Sequence, residues 1–191
     1  LGRGRFADAK AVIGQFSLED PGNKQARAFL DQISNFEKMS LRLNELEQQI
    51  PQGKLSAEAG LELGDLYLQT GQMQKFMALA GNMLGTTNLP PMFAFRVALL
   101  YSKAGRPVET AQALDSFVNR MPPDTPPEAF VDMTRMYLSA QRMDRARAML
   151  QEYLKRKPED WKAWMDQASL ELGLGNTNAA IRALELSIRG G

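Results

Sequence analysis

Apolar residues in this chain recur at spacings of three and four, the period of a helix with one buried face. Met143, Ala146, Met149, Leu150, Tyr153 and Leu154 form one such stripe. Ala180, Ile181, Leu184 and Ile188 form a second, and Phe6, Ala9, Val12, Ile13 and Phe16 a third. Phe36, Met39, Leu43, Leu46 and Ile50 follow the spacing 3, 4, 3, 4, a heptad seam about two heptads long. The pattern predicts an all-α chain.

The helices are punctuated on a fixed period. Tyr67 and Tyr101 stand 34 residues apart, and Tyr101 and Tyr137 stand 36 apart. The proline-rich run Pro122-Pro123-Asp124-Thr125-Pro126-Pro127 accounts for the extra two. Gly71, Gly105, Gln141 and Gly175 keep the same beat and are read as the turn inside each hairpin. Glycine there can take the left-handed conformation that closes a helix at little cost. Prolines stand between the hairpins, where they stop one helix and fit the first turn of the next. Glu128 and Glu159 fall in first turns and Lys155-Arg156-Lys157 in a last turn, as the helix dipole favours. Such a period means stacked helical hairpins, each touching its neighbours, rather than one globular core. Four repeats are predicted, at 57–90, 91–126, 127–160 and 161–191.

The repeat resembles the tetratricopeptide repeat (TPR). Trp164, Gly175, Ala180 and Leu184, with Pro158 before them, fall on that signature's large, turn, small, large and terminal-proline slots. Phe130, Tyr137, Ala146, Leu150 and Pro158 match it one repeat earlier, and Ala98, Tyr101, Gly105, Leu114 and Pro122 one before that. The resemblance covers about residues 57–189. The repeat from Ala57 departs from it: Gly60 takes the aromatic slot, Gly64 the small slot and Phe76 the slot where alanine belongs. A volume exchange is expected, with Phe76 filling the space that the two glycines vacate. The resemblance implies a right-handed superhelical solenoid whose first helices line a concave groove.

Upstream the phase blurs, and residues 1–56 read as a degenerate N-terminal region. Gly4 to Phe16 looks like the turn and second helix of a repeat, ended by Asp20-Pro21-Gly22-Asn23. Residues 24–50 contain neither glycine nor proline and form one long or kinked helical segment. Its heptad seam fits a degenerate fifth repeat packed on its neighbours, or a coiled-coil contact with another chain.

Composition narrows the chemistry. Apolar residues make up 44% of the 191, enough for a continuous core. There is no cysteine for a thiolate nucleophile or metal site, and no histidine, the commonest general base and metal ligand. The net charge of +1 gives no field to steer nucleic acid or an anionic membrane. No apolar run reaches the roughly 18 residues of a membrane span, and Arg96 interrupts the apolar stretch Pro90–Tyr101. Gly173-Leu174-Gly175 ends a helix rather than following a strand, so it reads as a turn and not a dinucleotide loop. No catalytic residue, cofactor or metal is predicted. Trp161 and Trp164 read as packing residues, and Lys155-Arg156-Lys157 as a helix end rather than a nucleic-acid contact. The chain opens at Leu1-Gly2-Arg3 and closes at Arg189-Gly190-Gly191, and reads as a fragment or a processed form. Cytoplasm and periplasm both remain open, as does tethering to a membrane by parts outside the fragment.

The repeat phase assigns Leu61, Glu62, Asp65, Phe95, Arg96, Leu99, Lys103, Asp132, Arg135 and Asp166 to the groove. Their mixture of apolar and charged side chains, with Val131 beside them, suits an extended or helical peptide with apolar anchors. The Lys, Asn and Arg clamp with which some TPR proteins hold a chaperone's C-terminal carboxylate is absent. A non-catalytic protein-interaction scaffold is therefore expected. The alternative is an accessory segment of a larger bacterial enzyme, because the repeats also resemble the helical-repeat tails of multipass membrane proteins related to glycosyltransferases. Ile181 and Ile188 are expected to stay bare on the last helix, which predicts either self-association through an uncapped solenoid end or a parent protein that continues there.

Overall fold

The computed structural model describes residues 3–19, 22–86 and 90–190; Leu1, Gly2, Asp20, Pro21 and Gly191, all named above, lie outside them. Among the described residues there are ten α-helices and no strand. They are α1 (Arg3–Glu19), α2 (Lys24–Glu47), α3 (Ala57–Gln69), α4 (Met73–Leu84) and α5 (Pro91–Lys103). Then follow α6 (Pro107–Val118), α7 (Pro127–Ser139), α8 (Met143–Arg156), α9 (Trp161–Gly173) and α10 (Thr177–Gly190). The chain forms two compact units, Leu1–Leu79 and Ala80–Gly191, with the boundary inside α4.

In the first unit α1 packs on α2 and α2 on α3. Residues 24–47 make one continuous helix, opened by Asn23, whose side chain accepts the Ala26 amide at 3.0 Å. Only half of the heptad seam is used inside this unit. Leu43 and Leu46 are buried, while Phe36 is 53% and Ile50 46% exposed. The α1 stripe divides in the same way: Phe6 is buried, and Val12 and Phe16 are exposed. The Lys10 ammonium pairs with Glu37 across the α1–α2 hairpin. Arg42 of α2 grips Glu62 of α3 through two hydrogen bonds, Nε to Oε1 at 2.7 Å and Nη2 to Oε2 at 2.8 Å. Gly60 and Gly64 are buried on α3, and Phe76 is completely buried.

In the second unit the hairpins are α5–α6, α7–α8 and α9–α10, joined by the pairs α6–α7 and α8–α9. Helices adjacent in sequence are adjacent in space, as in a repeat array. Pro91, Pro107 and Pro127 open their helices at the first position, where a missing N–H costs nothing. Asp160 opens α9 by accepting the amides of Lys162 and Ala163, both at 3.1 Å. The core of this unit is aromatic and aliphatic. Phe95 and Phe117 meet at 5.2 Å between centroids, and Leu114, Phe130, Met133 and Tyr137 are fully buried. Each such side chain contributes roughly 1.5–3 kcal/mol by leaving water.

The four hairpin turns share one geometry. Gly71, Gly105 and Gly175 have φ of 72°, 66° and 77°, and Gln141 reaches 57° without being glycine. In each, the next residue's amide returns to a carbonyl five positions back. Gln72 donates to Tyr67 at 2.8 Å, Arg106 to Tyr101 and Arg142 to Tyr137 at 2.9 Å, and Asn176 to Glu171 at 2.8 Å. This is the Schellman closure, and it falls on the periodic tyrosine position every time.

That position also carries a repeated side-chain tie. Tyr67 donates its hydroxyl to Glu47 at 2.9 Å, and Lys75 reaches the same Glu47 oxygen at 2.7 Å. Seventy residues on, Tyr137 donates to Asp115 at 2.8 Å, with Arg145 at 3.4 Å from the same oxygen. A tyrosine on a first helix thus binds a carboxylate on the helix before it, and a cation from its own hairpin closes the set. In the last repeat the slot holds Glu171, itself buried at 3% exposure. It accepts from Gln167 at 2.7 Å and Asn176 at 2.8 Å, and Arg147 lies 3.6 Å away.

The α10 stripe divides: Ala180, Ala183 and Ser187 are buried, whereas Ile181 and Ile188, expected to stay bare, are 50% and 81% exposed, and Leu184 is exposed with them at 41%. The reason is register. Leu184 and Ile188 are the repeat equivalents of Leu150 and Leu154, which are buried in a cluster with Ala163 and against Trp164, both of α9. Within the described residues no later helix covers α10 in that way. The basic run at the end of α8 serves the fold: the Arg156 guanidinium donates to the Thr125 carbonyl and lies 4.4 Å above the Phe130 ring.

Candidate partner-binding face

The first helices of the second unit place their residues by the helical period. Val131, Thr134, Arg135 and Leu138 of α7 fall at i, i+3, i+4 and i+7, so they share one face. Asp166, Ser169, Leu170 and Gly173 of α9 repeat that spacing. These two stripes wall a cleft of about 360 Å³, with Met143 and Leu150 of α8 also lining it. Its surface is mainly apolar. The Thr134 hydroxyl donates to the Phe130 carbonyl at 2.8 Å and the Ser169 hydroxyl to Met165 at 3.1 Å, so both hydroxyl donors are engaged within their own helices. Gly173 leaves room: a Cβ built there meets nothing within 4 Å.

Arg135 and Asp166 are the charged groups of the cleft, and both are exposed. Arg135 lies 3.7 Å from Asp132, one turn earlier on α7, an exposed pair worth a few tenths of a kcal/mol, roughly. The structure thus brings together Asp132, Arg135 and Asp166 of the residues read from the repeat phase. Arg96, Leu99 and Lys103 are exposed on α5. Leu61 and Phe95 are corrections: they are 4% and 8% exposed, and Phe95 packs on Phe117 in the core. Phase placed them one residue off the solvent side of their helices, an error that turns a side chain by about 100°. Glu62 and Asp65 belong to the first unit. The Arg42 guanidinium, hydrogen-bonded to Glu62, holds that carboxyl below its usual range. Asp65 accepts from Gln69.

The phase reading missed Thr134, Leu138, Ser169, Leu170 and Gly173 as cleft residues. Adding three, four and seven to Val131 and Asp166 yields all five. Among the described residues no group of three or more metal-ligating side chains converges, and no helix is long and apolar enough to cross a membrane.

Residues 135–190 match the family profile described as tetratricopeptide repeat. No curated protein sequence matches the chain significantly. Solved structures do match it in fold. A crystal structure of MamA superposes with a TM-score of 0.57 at 12% identity, over 84% of this chain and 92% of that one. A second MamA structure, from MSR-1, gives 0.57 at 18% identity over 93% and 96%. YrrB, described as a TPR protein with an unusual peptide-binding site, gives 0.58 at 13% identity over 93% and 91%. With the periodic turns and the hairpins they close, these likenesses lead to one conclusion: the chain is an all-α helical-repeat protein whose residues 135–190 match the tetratricopeptide repeat.

Proposed function

We propose that the chain is a non-catalytic scaffold that holds a peptide or protein segment against the face made by α7 and α9, with the repeats 57–90, 91–126, 127–160 and 161–191 as its units. The α7–α9 cleft carries this reading: it is apolar within, charged at Arg135 and Asp166, and open to solvent. Helix-pair grooves of this kind take apolar anchors from extended or helical segments. The peptide-binding site named for YrrB, a protein of the same fold, supports it. A scaffold needs no general base or metal, and histidine and cysteine are missing from the sequence.

The test is capture of partners by the whole chain, beside a variant carrying Arg135→Glu and Asp166→Arg. A partner retained by the parent and lost by the variant supports the proposal. A partner held equally by both places binding elsewhere and overturns it.

A further inference from the structure

Resting on that reading, we infer that the α7–α9 cleft selects a peptide segment bearing one bulky apolar side chain between an acidic and a basic residue, and that Gly173 is the residue that admits it. Three observations converge. The lining is aliphatic at Val131, Leu138, Met143, Leu150 and Leu170. Such a surface gains most from a Leu-, Met- or Phe-sized group, by about 25 cal/mol for each Å² removed from water. The volume of about 360 Å³ stands at the low end of the ~300–1,000 Å³ of ligand pockets, which suits a side chain rather than a whole helix.

The charges set the flanks. Arg135 stands on the α7 wall and Asp166 on the α9 wall, so the two sides of the cleft differ in sign. A ligand with an acidic group toward α7 and a basic group toward α9 meets both. A segment of a single sign meets repulsion on one side, which is how exposed charges discriminate between partners.

Gly173 makes the site particular to this repeat. Its equivalents in the two preceding repeats are Ser139 and Lys103. At Gly173 the helix presents no side chain, and the space where a Cβ would stand is empty. Its φ is outside the left-handed region, so a larger residue there fills the cleft without backbone strain.

The probe is an unbiased random dodecapeptide display library panned on the whole chain, followed by affinity measurement of the selected peptides. The expected consensus is a bulky apolar residue flanked by both charges. Gly173→Leu is expected to weaken these peptides at least tenfold, Gly173→Ala by less, and the double reversal Arg135→Glu with Asp166→Arg to favour peptides of swapped flanks. Both Gly173 variants are expected to keep the parent's melting temperature, which separates a filled cleft from a damaged fold. Selected peptides that lack the pattern, or bind Gly173→Leu as well as the parent, overturn the ligand assignment and leave the scaffold standing. A library that yields no binder overturns both.

Discussion

Tyr137 donates its hydroxyl to Asp115 at 2.8 Å, tying α7 to the helix before it from a ring that is itself fully buried. Removing the hydroxyl leaves Asp115 facing Arg145 at 3.4 Å. Hydrogen bonds to charged groups contribute about 1.5–3 kcal/mol. Tyr137→Phe is therefore expected to destabilise the second unit by about 2 kcal/mol in denaturant unfolding. A double-mutant cycle with Asp115→Ala should return most of that as coupling. Additive single mutants would mean that the tie contributes nothing.

Gln141 holds a left-handed backbone that costs an L-residue about 1–2 kcal/mol. Gln141→Gly relieves it and gives back part of the gain through the more flexible unfolded chain. The expected net is a stabilisation of about 0.5–1 kcal/mol, with Gln141→Val going the other way. A glycine variant that melts below the parent would contradict the turn geometry.

Acid and alkali act on different groups. Asp160 accepts the Tyr153 hydroxyl and two α9 amides, and these hold its carboxyl below the usual range. A carboxyl lowered by folding lends stability that is complete above the unfolded value of about 3.9 and lost as pH falls through the folded one. Asp160→Asn should therefore flatten the acid limb while keeping the helix cap, because asparagine caps about as well as aspartate. The four tyrosines are all raised. Burial and then Glu47 push Tyr67 up to about 12, and Asp160 and then burial push Tyr153 up to about 12. Burial raises Tyr101 and Tyr137, the latter with help from Asp115. Their stabilisation is complete below pH about 10 and lost as pH rises through the folded values. In the native chain tyrosinate absorbance at pH 10 should be far below half its final value. Half ionisation there would refute the burial and the ties together.

Gly64 is buried on α3, in the unit where Phe76 is fully buried. Forcing extra volume into a packed core typically costs about 1–3 kcal/mol. Gly64→Leu is expected to lower the stability of the first unit by at least that much, with Gly64→Ala intermediate. A leucine variant that melts like the parent would remove the volume exchange as the reason for the glycine.

The outer face of α10 exposes Ile181, and with it Leu184 and Ile188, which stand at the register where α8 is covered by α9. We propose that it pairs with another copy of the chain. Sedimentation equilibrium should show a mass that rises with concentration, and Ile188→Lys should abolish the rise. A single species of monomer mass at every concentration overturns the pairing.

The helices and their turns were legible because they are fixed locally. Proline at a first position and glycine at a turn act within a few residues, so the period alone located them. Gln141 shows the strength of that signal, since phase placed a turn where residue type gave no hint. Burial was less legible. Leu61 and Phe95 differ from their solvent-facing neighbours by one step around a helix, and an apolar stripe wide enough to pack two neighbours does not reveal which edge stays wet. Leu184 read as a packing residue because hydrophobicity records what a surface can bury, not what is present to bury it. The cleft was legible only as a face. Gly173 lines it with open space where a Cβ would stand, and a sequence marks a glycine without saying whether it is there for its backbone or for its emptiness.

The turns carry a last consequence. Each of the four periodic turns is closed by a main-chain carbonyl, and the residue that owns it is tyrosine three times and glutamate once. Backbone closure is indifferent to the side chain above it, so the lettering of a repeat can drift while its geometry stays. A family profile confined to residues 135–190, beside likeness of fold over most of the chain, is what a fold held by main-chain closure allows.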